Sequence, residues 1–370
     1  MSLPKNTEIT VILQGPIIPT ITQNAIDATN RALPGARIVL STWNNEDIRG
    51  ISCNQIVIGN PPPSVVIHNN PKNPSLNNTN RLIFGMQQVL PQIRTKYVLK
   101  LRTDIILQDA EFLKYWDAYQ QRVEQYQLFR HRVLNYYLFA PQFNFRQGVK
   151  IPTLFHPSDW MFFGFTADIK KLFDIPLQPD PAYSLWWNNH SKPNYQIDPW
   201  PGAIFRYSPE QYLFYQALHQ KFPEITFDSY FDITREKEQM SRLVMVNNFV
   251  VLDYRQWHIK MPKYQHRIGT IPLGQTSHAH WQDDYKTYCD SKFKISLRNI
   301  WFKCTKLDIG EIVKAKKIEL EKRFVSTFFS SLYKKHLYKK YQCSPAKLKQ
   351  KLNALSAAKR IYVYAEDVKR

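Results

Sequence analysis
The stretch that most constrains this chain is residues 96–106, Lys-Tyr-Val-Leu-Lys-Leu-Arg-Thr-Asp-Ile-Ile. Its run of aromatic, β-branched and aliphatic residues reads as a buried strand that delivers Arg102 and Asp104 at its carboxyl end. Just upstream, residues 78–92 carry apolar side chains at Leu82, Ile83, Met86, Val89 and Leu90, a helical period that Pro91 ends. A helix therefore feeds a strand whose last residues are charged, and open α/β sheets bind ligands at that edge. An unpaired buried charge costs several kcal/mol, so Arg102 and Asp104 must meet each other, water or a ligand. The plain reading is a satisfied ion pair; the sharper one is a nucleotide or metal site.

The N-terminal third repeats the pattern. Residues 9–14 (Ile-Thr-Val-Ile-Leu-Gln) read as a first strand, closed by Gly15-Pro16 at a turn that a ligand can approach closely. A helix follows from about Thr20 to Leu33, stopped by Pro34-Gly35, and strands follow at 37–42 and 55–58. Strands alternating with helices over residues 1–107 imply βαβ units and a mostly parallel sheet. The Asn- and Pro-rich residues 59–80 read as a long loop over the sheet's carboxyl edge, with Asn77, Asn78, Asn80 and Arg81 opening the next helix. Neither GxGxxG nor GxxxxGK[ST] occurs, which counts against dehydrogenases and P-loop NTPases.

Beyond Asp104, residues 110–132 read as an amphipathic helix, and 133–145 are rich in Tyr and Phe. His156 and Asp159 sit beside an aromatic strand that reaches Gly164, and 168–173 start another helix. Residues 176–205, rich in Pro, Trp and Asn, read as a loop that covers substrate. Ser208-Pro209-Glu210 then has the form of a helix start, with Ser208 as N-cap, Pro209 at the first helical position and Glu210 in the first turn. Residues 244–253 read as a further strand leading to His258, Lys260 and Lys263.

A net charge of +20 on 370 residues suggests a polyanionic partner, and its distribution says which. Residues 286–370 hold 22 Lys or Arg against 7 Asp or Glu, alternating with aromatics such as Phe324, Phe328 and Tyr333. This tail reads as a basic, mainly helical extension on a 1–285 domain, either a solvated bundle or a surface for anionic lipid. No RRM, KH or zinc-finger signature accompanies the charge, so nucleic acid is not the expected partner. Four cysteines without CxxC spacing point to a reducing compartment and no zinc site. With no secretory signal and no apolar run of about 18 residues, the expected location is cytoplasmic, peripheral at the inner membrane.

Five pieces in order, 11–17 (Val-Ile-Leu-Gln-Gly-Pro-Ile), 40–43 (Leu-Ser-Thr-Trp), 97–104, 158–164 (Ser-Asp-Trp-Met-Phe-Phe-Gly) and 209–212 (Pro-Glu-Gln-Tyr), resemble the WavE lipopolysaccharide-synthesis family over about residues 8–260. The resemblance implies a bacterial glycosyltransferase of GT-A-like nucleotide-sugar fold, acting in lipopolysaccharide, O-antigen or capsule assembly on a saccharide or lipid-linked acceptor. It also implies a divalent cation, Mn²⁺ or Mg²⁺, held by an Asp-x-Asp pair. Here only Arg102-Thr103-Asp104 stands at that place, so either Asp104 binds the metal alone or Arg102 neutralises phosphate itself.

The donor site expected from strand ends comprises Gln14, Gly15, Pro16, Thr42, Asn80, Arg81, Arg102 and Asp104. Glycosyl transfer with inversion also needs a carboxylate to deprotonate the acceptor hydroxyl. Glu210 is the first candidate and Asp159 its rival, each weighed against an ordinary role in capping a helix or loop. His156 and His258 fit polar networks better than catalysis. Two other classes stay open: a non-catalytic carbohydrate- or nucleotide-binding protein, which needs the aromatics of 183–200 but not both Asp104 and Glu210, and a nucleic-acid-binding protein, which would use the tail.

Overall fold
The computed structural model describes residues 3–68, 75–146, 149–193, 198–200, 202–272 and 274–302. Strand β1 (Ile9–Gln14) is buried at every position, as an apolar run must be when both faces of a sheet are covered. After it come α1 (Ile21–Ala32), β2 (Arg37–Trp43), β3 (Gln55–Gly59), a hairpin of β4 (Val65–His68) and β5 (Ser75–Asn77), α2 (Thr79–Val89) and β6 (Tyr97–Arg102). β1 lies between β2 and β6 and is parallel to both, and β3 extends the sheet beyond β2. The helix ended by Pro91 is as expected, with Pro91 inside a single 3₁₀ turn, Leu90–Gln92.

The second half adds β7 (Ile106–Leu107), β8 (Val133–Tyr136), the hairpin β9 (Phe143–Arg146) and β10 (Val149–Pro152), β11 (Phe162–Phe165), α3 (Thr166–Phe173), α4 (Trp186–Asn189) and α5 (Pro209–Lys221). α6 (Arg235–Asn248), β12 (Phe249–Leu252), β13 (Ile259–Lys260), α7 (His278–Tyr288) and α8 (Leu297–Phe302) complete it. The seven-stranded sheet has the order β12-β8-β11-β6-β1-β2-β3. Only β11 runs against its neighbours, so the sheet is mostly parallel. The two-residue alternation of strands sends Ile9, Val11 and Leu13 into one core with Trp257 and Trp281. Ile12, Val39 and Val98 line the other core, under α2, α3 and α5.

Three sequence expectations are corrected. Residues 110–132 form only a 3₁₀ turn, Glu111–Tyr115, followed by irregular chain. Distant side chains take the backbone groups that a helix would have paired. Asn247 Oδ1 accepts from Val123 N–H, Asn248 Oδ1 from Leu128 and Phe129 N–H, and Asp168 from Arg130 and His131 N–H. Residues 244–248, expected in a strand, are the last turn of α6, which starts at an N-cap where Thr234 Oγ1 accepts from Lys237 N–H. The 59–80 loop contains the β4–β5 hairpin. Residues on both sides of 285/286 belong to α7, whose Trp281 and Tyr285 are buried in the main core. The basic helical extension lies outside the described residues from 303 onward.

Candidate active site
β1 and β6 end side by side, with Gln14 opposite Arg102. Gly15 has φ +141°, and a Cβ there would sit 3.1 Å from Thr103 Oγ1; glycine lets the turn lie against the end of β6. Thr103 fixes that contact by donating its hydroxyl to Pro16 O at 2.6 Å and its N–H to Gln14 O at 3.3 Å. Gly15, Pro16, Arg102 and Asp104 therefore share one edge of the sheet.

At that edge Arg102 grips Asp104 with two parallel bonds, Nε to Oδ1 at 2.9 Å and Nη2 to Oδ2 at 2.7 Å. Asp104 is nearly buried, whereas the Arg102 side chain stays 30 % exposed. The guanidinium lies over the rings of Trp160, 4.8 Å from its centroid, and Tyr264, 5.8 Å away. Two residues before it, Lys100 is buried in the sheet and donates to the main-chain carbonyls of Asp159 and Trp160. Burial drags its ammonium down to about 8 while the nearby Asp159 charge opposes the fall. Asn135 pins the same loop, donating to Ser158 O and Met161 O and accepting from Ser158 N–H.

Glu210 reaches this cluster from the start of α5. The helix begins as expected, with Ser208 and Gln211 forming a reciprocal capping box and Pro209 in the first turn. Gln211 also donates to Leu154 O at 2.9 Å, which ties the helix start to the segment carrying His156. The Glu210 side chain is 12 % exposed, with Oε2 3.6 Å from His156 Nε2. Burial pushes its carboxyl well above the ordinary value, and the negative charge of Asp159 pushes it further. Burial holds His156 neutral, down to about 3, under the ring of Trp200 at 6.1 Å. Arg102 and Lys100 in turn both feel the Asp159 charge. The two candidate bases thus share one electrostatic cluster with the strand-end pair.

Other expected donor residues hold protein partners of their own. Asn80 exchanges bonds with the backbone of Gln178 and donates to Asp180 Oδ2, and Arg81 donates to Pro62 O. Gln14 donates to Leu82 O at 2.8 Å, and Thr42 is buried in β2. Side chains at 14, 80 and 81 hold α2 and its flanking loops together. His258 pairs with Asp109 at 2.6 Å, a surface contact.

A family model described as WavE lipopolysaccharide synthesis matches residues 9–317, which include every residue of this cluster. The chain belongs to the WavE lipopolysaccharide-synthesis family. No curated relative matches it. The residues present do not fit the divalent cation that a GT-A fold suggests. Each oxygen of Asp104 already accepts from Arg102, and the described residues contain no group of three or more His, Cys, Asp or Glu able to hold a metal. Lys100 and Tyr264 escaped the sequence reading. A lysine inside an apolar strand, two residues before Arg102, was the available signal for the first; nothing local marked the second.

Proposed function
We propose that this WavE-family chain is a glycosyltransferase that moves a sugar from a nucleotide-sugar donor to a lipopolysaccharide or related surface-polysaccharide acceptor, with inversion. The observation that carries the reading is the convergence of a strand-end Arg102–Asp104 pair with two interacting carboxylates, Asp159 and Glu210, at one sheet edge. In this reading Arg102 faces the donor diphosphate and Glu210 is the general base. Its raised pKa suits that task, because a base works best when its pKa lies near the working pH. The acceptor oxygen forms its bond to the anomeric carbon as the bond to the phosphate oxygen breaks. That electron pair leaves on the nucleoside diphosphate, and the hydroxyl proton passes to Glu210. Asp159 raises the basicity of Glu210, Lys100 and Asn135 position Asp159, and the Trp200 segment keeps water from His156 and Glu210.

No described helix is long and apolar enough to cross a membrane. The 22 basic residues of 286–370 supply the attachment to an anionic membrane where a lipid-linked acceptor lies, at about 1 kcal/mol for each engaged side chain. Sedimentation with anionic liposomes tests this part: binding that high salt releases is expected, and binding indifferent to salt or to lipid charge contradicts it. The transferase itself is tested by incubating the chain with a panel of nucleotide sugars and lipopolysaccharide core or lipid-linked acceptors. Transfer from one donor is expected. A chain that neither transfers nor is thermally stabilised by any nucleotide sugar contradicts the proposal.

A further inference from the structure
Three cations surround one ring beside the candidate donor edge. Tyr264 lies in the 3₁₀ turn Pro262–Arg267. Its ring centroid is 5.8 Å from the Arg102 guanidinium, 5.4 Å from Lys263 Nζ and 5.9 Å from the Arg267 guanidinium. The ring packs on Trp160 at 4.9 Å, so the turn rests against the loop that carries Asp159. The turn is also fixed from beneath: Tyr137, just after β8, donates its hydroxyl to Arg267 O and Thr270 O. Asp104 offsets the charge of Arg102, but no carboxylate among the described residues pairs with Lys263 or Arg267, both of which are exposed. Arg102 Nη1 likewise has no hydrogen-bond partner among the described residues. Cation–π contacts of about 0.5–1 kcal/mol at exposed sites do not neutralise charge; an anion does.

We propose that Arg102, Lys263 and Arg267, gathered on Tyr264, bind the diphosphate of the donor directly and do the work of a divalent cation, for which the described residues offer no cluster of ligands. This rests on the glycosyltransferase reading and deepens it. Guanidinium and ammonium groups donate charge-assisted hydrogen bonds to phosphate oxygens, and they stabilise the leaving nucleoside diphosphate as its charge grows.

The test is calorimetric titration of the full chain with UDP, GDP, ADP, TDP and CMP in excess EDTA, repeated with Mn²⁺ and with Mg²⁺. One of the diphosphates is expected to bind in EDTA, with affinity changed less than about 3-fold by either metal, a difference well under 1.4 kcal/mol. The double substitution Lys263→Gln/Arg267→Gln is expected to weaken that binding by about 10- to 100-fold, the loss of one or two charge-assisted bonds. Both side chains are exposed, so the melting temperature should hold; Lys263→Ala and Arg267→Ala made singly provide the same readout if it does not. Binding only with metal, binding of CMP alone, or unchanged affinity in the variants would overturn the inference and leave the transferase reading standing. Binding of no nucleotide in any buffer overturns both.

Discussion

Two arginine–aspartate pairs end two parallel strands of this sheet, and they differ in what surrounds them. At β12, Asp253 accepts from Arg255 Nε and Nη2 at 2.9 and 2.8 Å, and also from the backbone N–H of Arg255 and of His278. Arg255 Nη1 donates on to Asn299 Oδ1 at 3.0 Å. Asp253 is wholly buried: burial pushes its carboxyl up, and the Arg255 bonds and charge outweigh that and hold it below the ordinary value. At β6, Arg102 and Asp104 have the same two-residue spacing and the same fork, but the guanidinium keeps a free edge, 30 % exposure and an aromatic wall. One pair is a staple between β12, α7 and Asn299. The other is, in the proposed reading, half of a donor site. The spacing alone does not separate them; the supply of protein partners does.

The largest expected effect tests the staple. Asp253→Asn leaves Arg255 poorly paired in the interior, and breaking a buried pair costs about 3–5 kcal/mol. Asp104→Asn leaves a partly exposed Arg102 that water can solvate, so its cost should be about 1 kcal/mol, while donor affinity falls. Thermal melts of both variants, with nucleotide titration, check the contrast. Equal losses of stability would erase the distinction between the pairs.

A smaller effect concerns pH. The Asp253 carboxyl is depressed, so its stabilisation is present above the unfolded pKa and lost as pH falls through the folded one. Glu210 is raised, so the folded chain holds that proton more tightly; stability is lost as pH climbs from the ordinary carboxyl range towards the raised value. Glu210→Gln should therefore raise the melting temperature more at about pH 8 than at about pH 5. A variant equally stabilised at both would mean that Glu210 titrates normally. The smallest effect is expected from Asp159→Asn. Removing that negative charge should shift the acid limb of the kcat–pH profile to lower pH by about one unit or less, without abolishing transfer. If Asp159→Asn abolishes transfer and Glu210→Gln does not, Asp159 is the base.

The first half of the sheet was legible because its signals are local. Strands at 9–14, 37–43 and 97–102 are rich in β-branched, aliphatic and aromatic residues, α2 has its period, and α5 has Ser208 as N-cap with Pro209 at its first position. Residues 110–132 misled because a helical period is only an opportunity, and Asn247, Asn248 and Asp168 offered that backbone better-placed partners from far along the chain. Gln14, Asn80 and Arg81 stand near the expected donor edge, and each side chain also holds a protein partner. Strand order says which residues stand near an edge, but not whether a carbonyl or amide has already claimed the side chain. The meeting of Arg102 with Lys263 and Arg267 around the Tyr264 ring depends on the fold of everything between them, and no periodicity carries it.

The central claim is that Glu210, raised by burial and by Asp159 beside the strand-end pair, is the base of a transferase. Its most direct test is single-turnover sugar transfer by Glu210→Gln, with nucleotide affinity measured on the same sample. The amide keeps the shape of the side chain and loses its basicity, so donor binding should stay within about 2-fold while the transfer rate falls by about 10²- to 10⁴-fold. Full transfer by Glu210→Gln, or loss of donor binding in step with the rate, would contradict it.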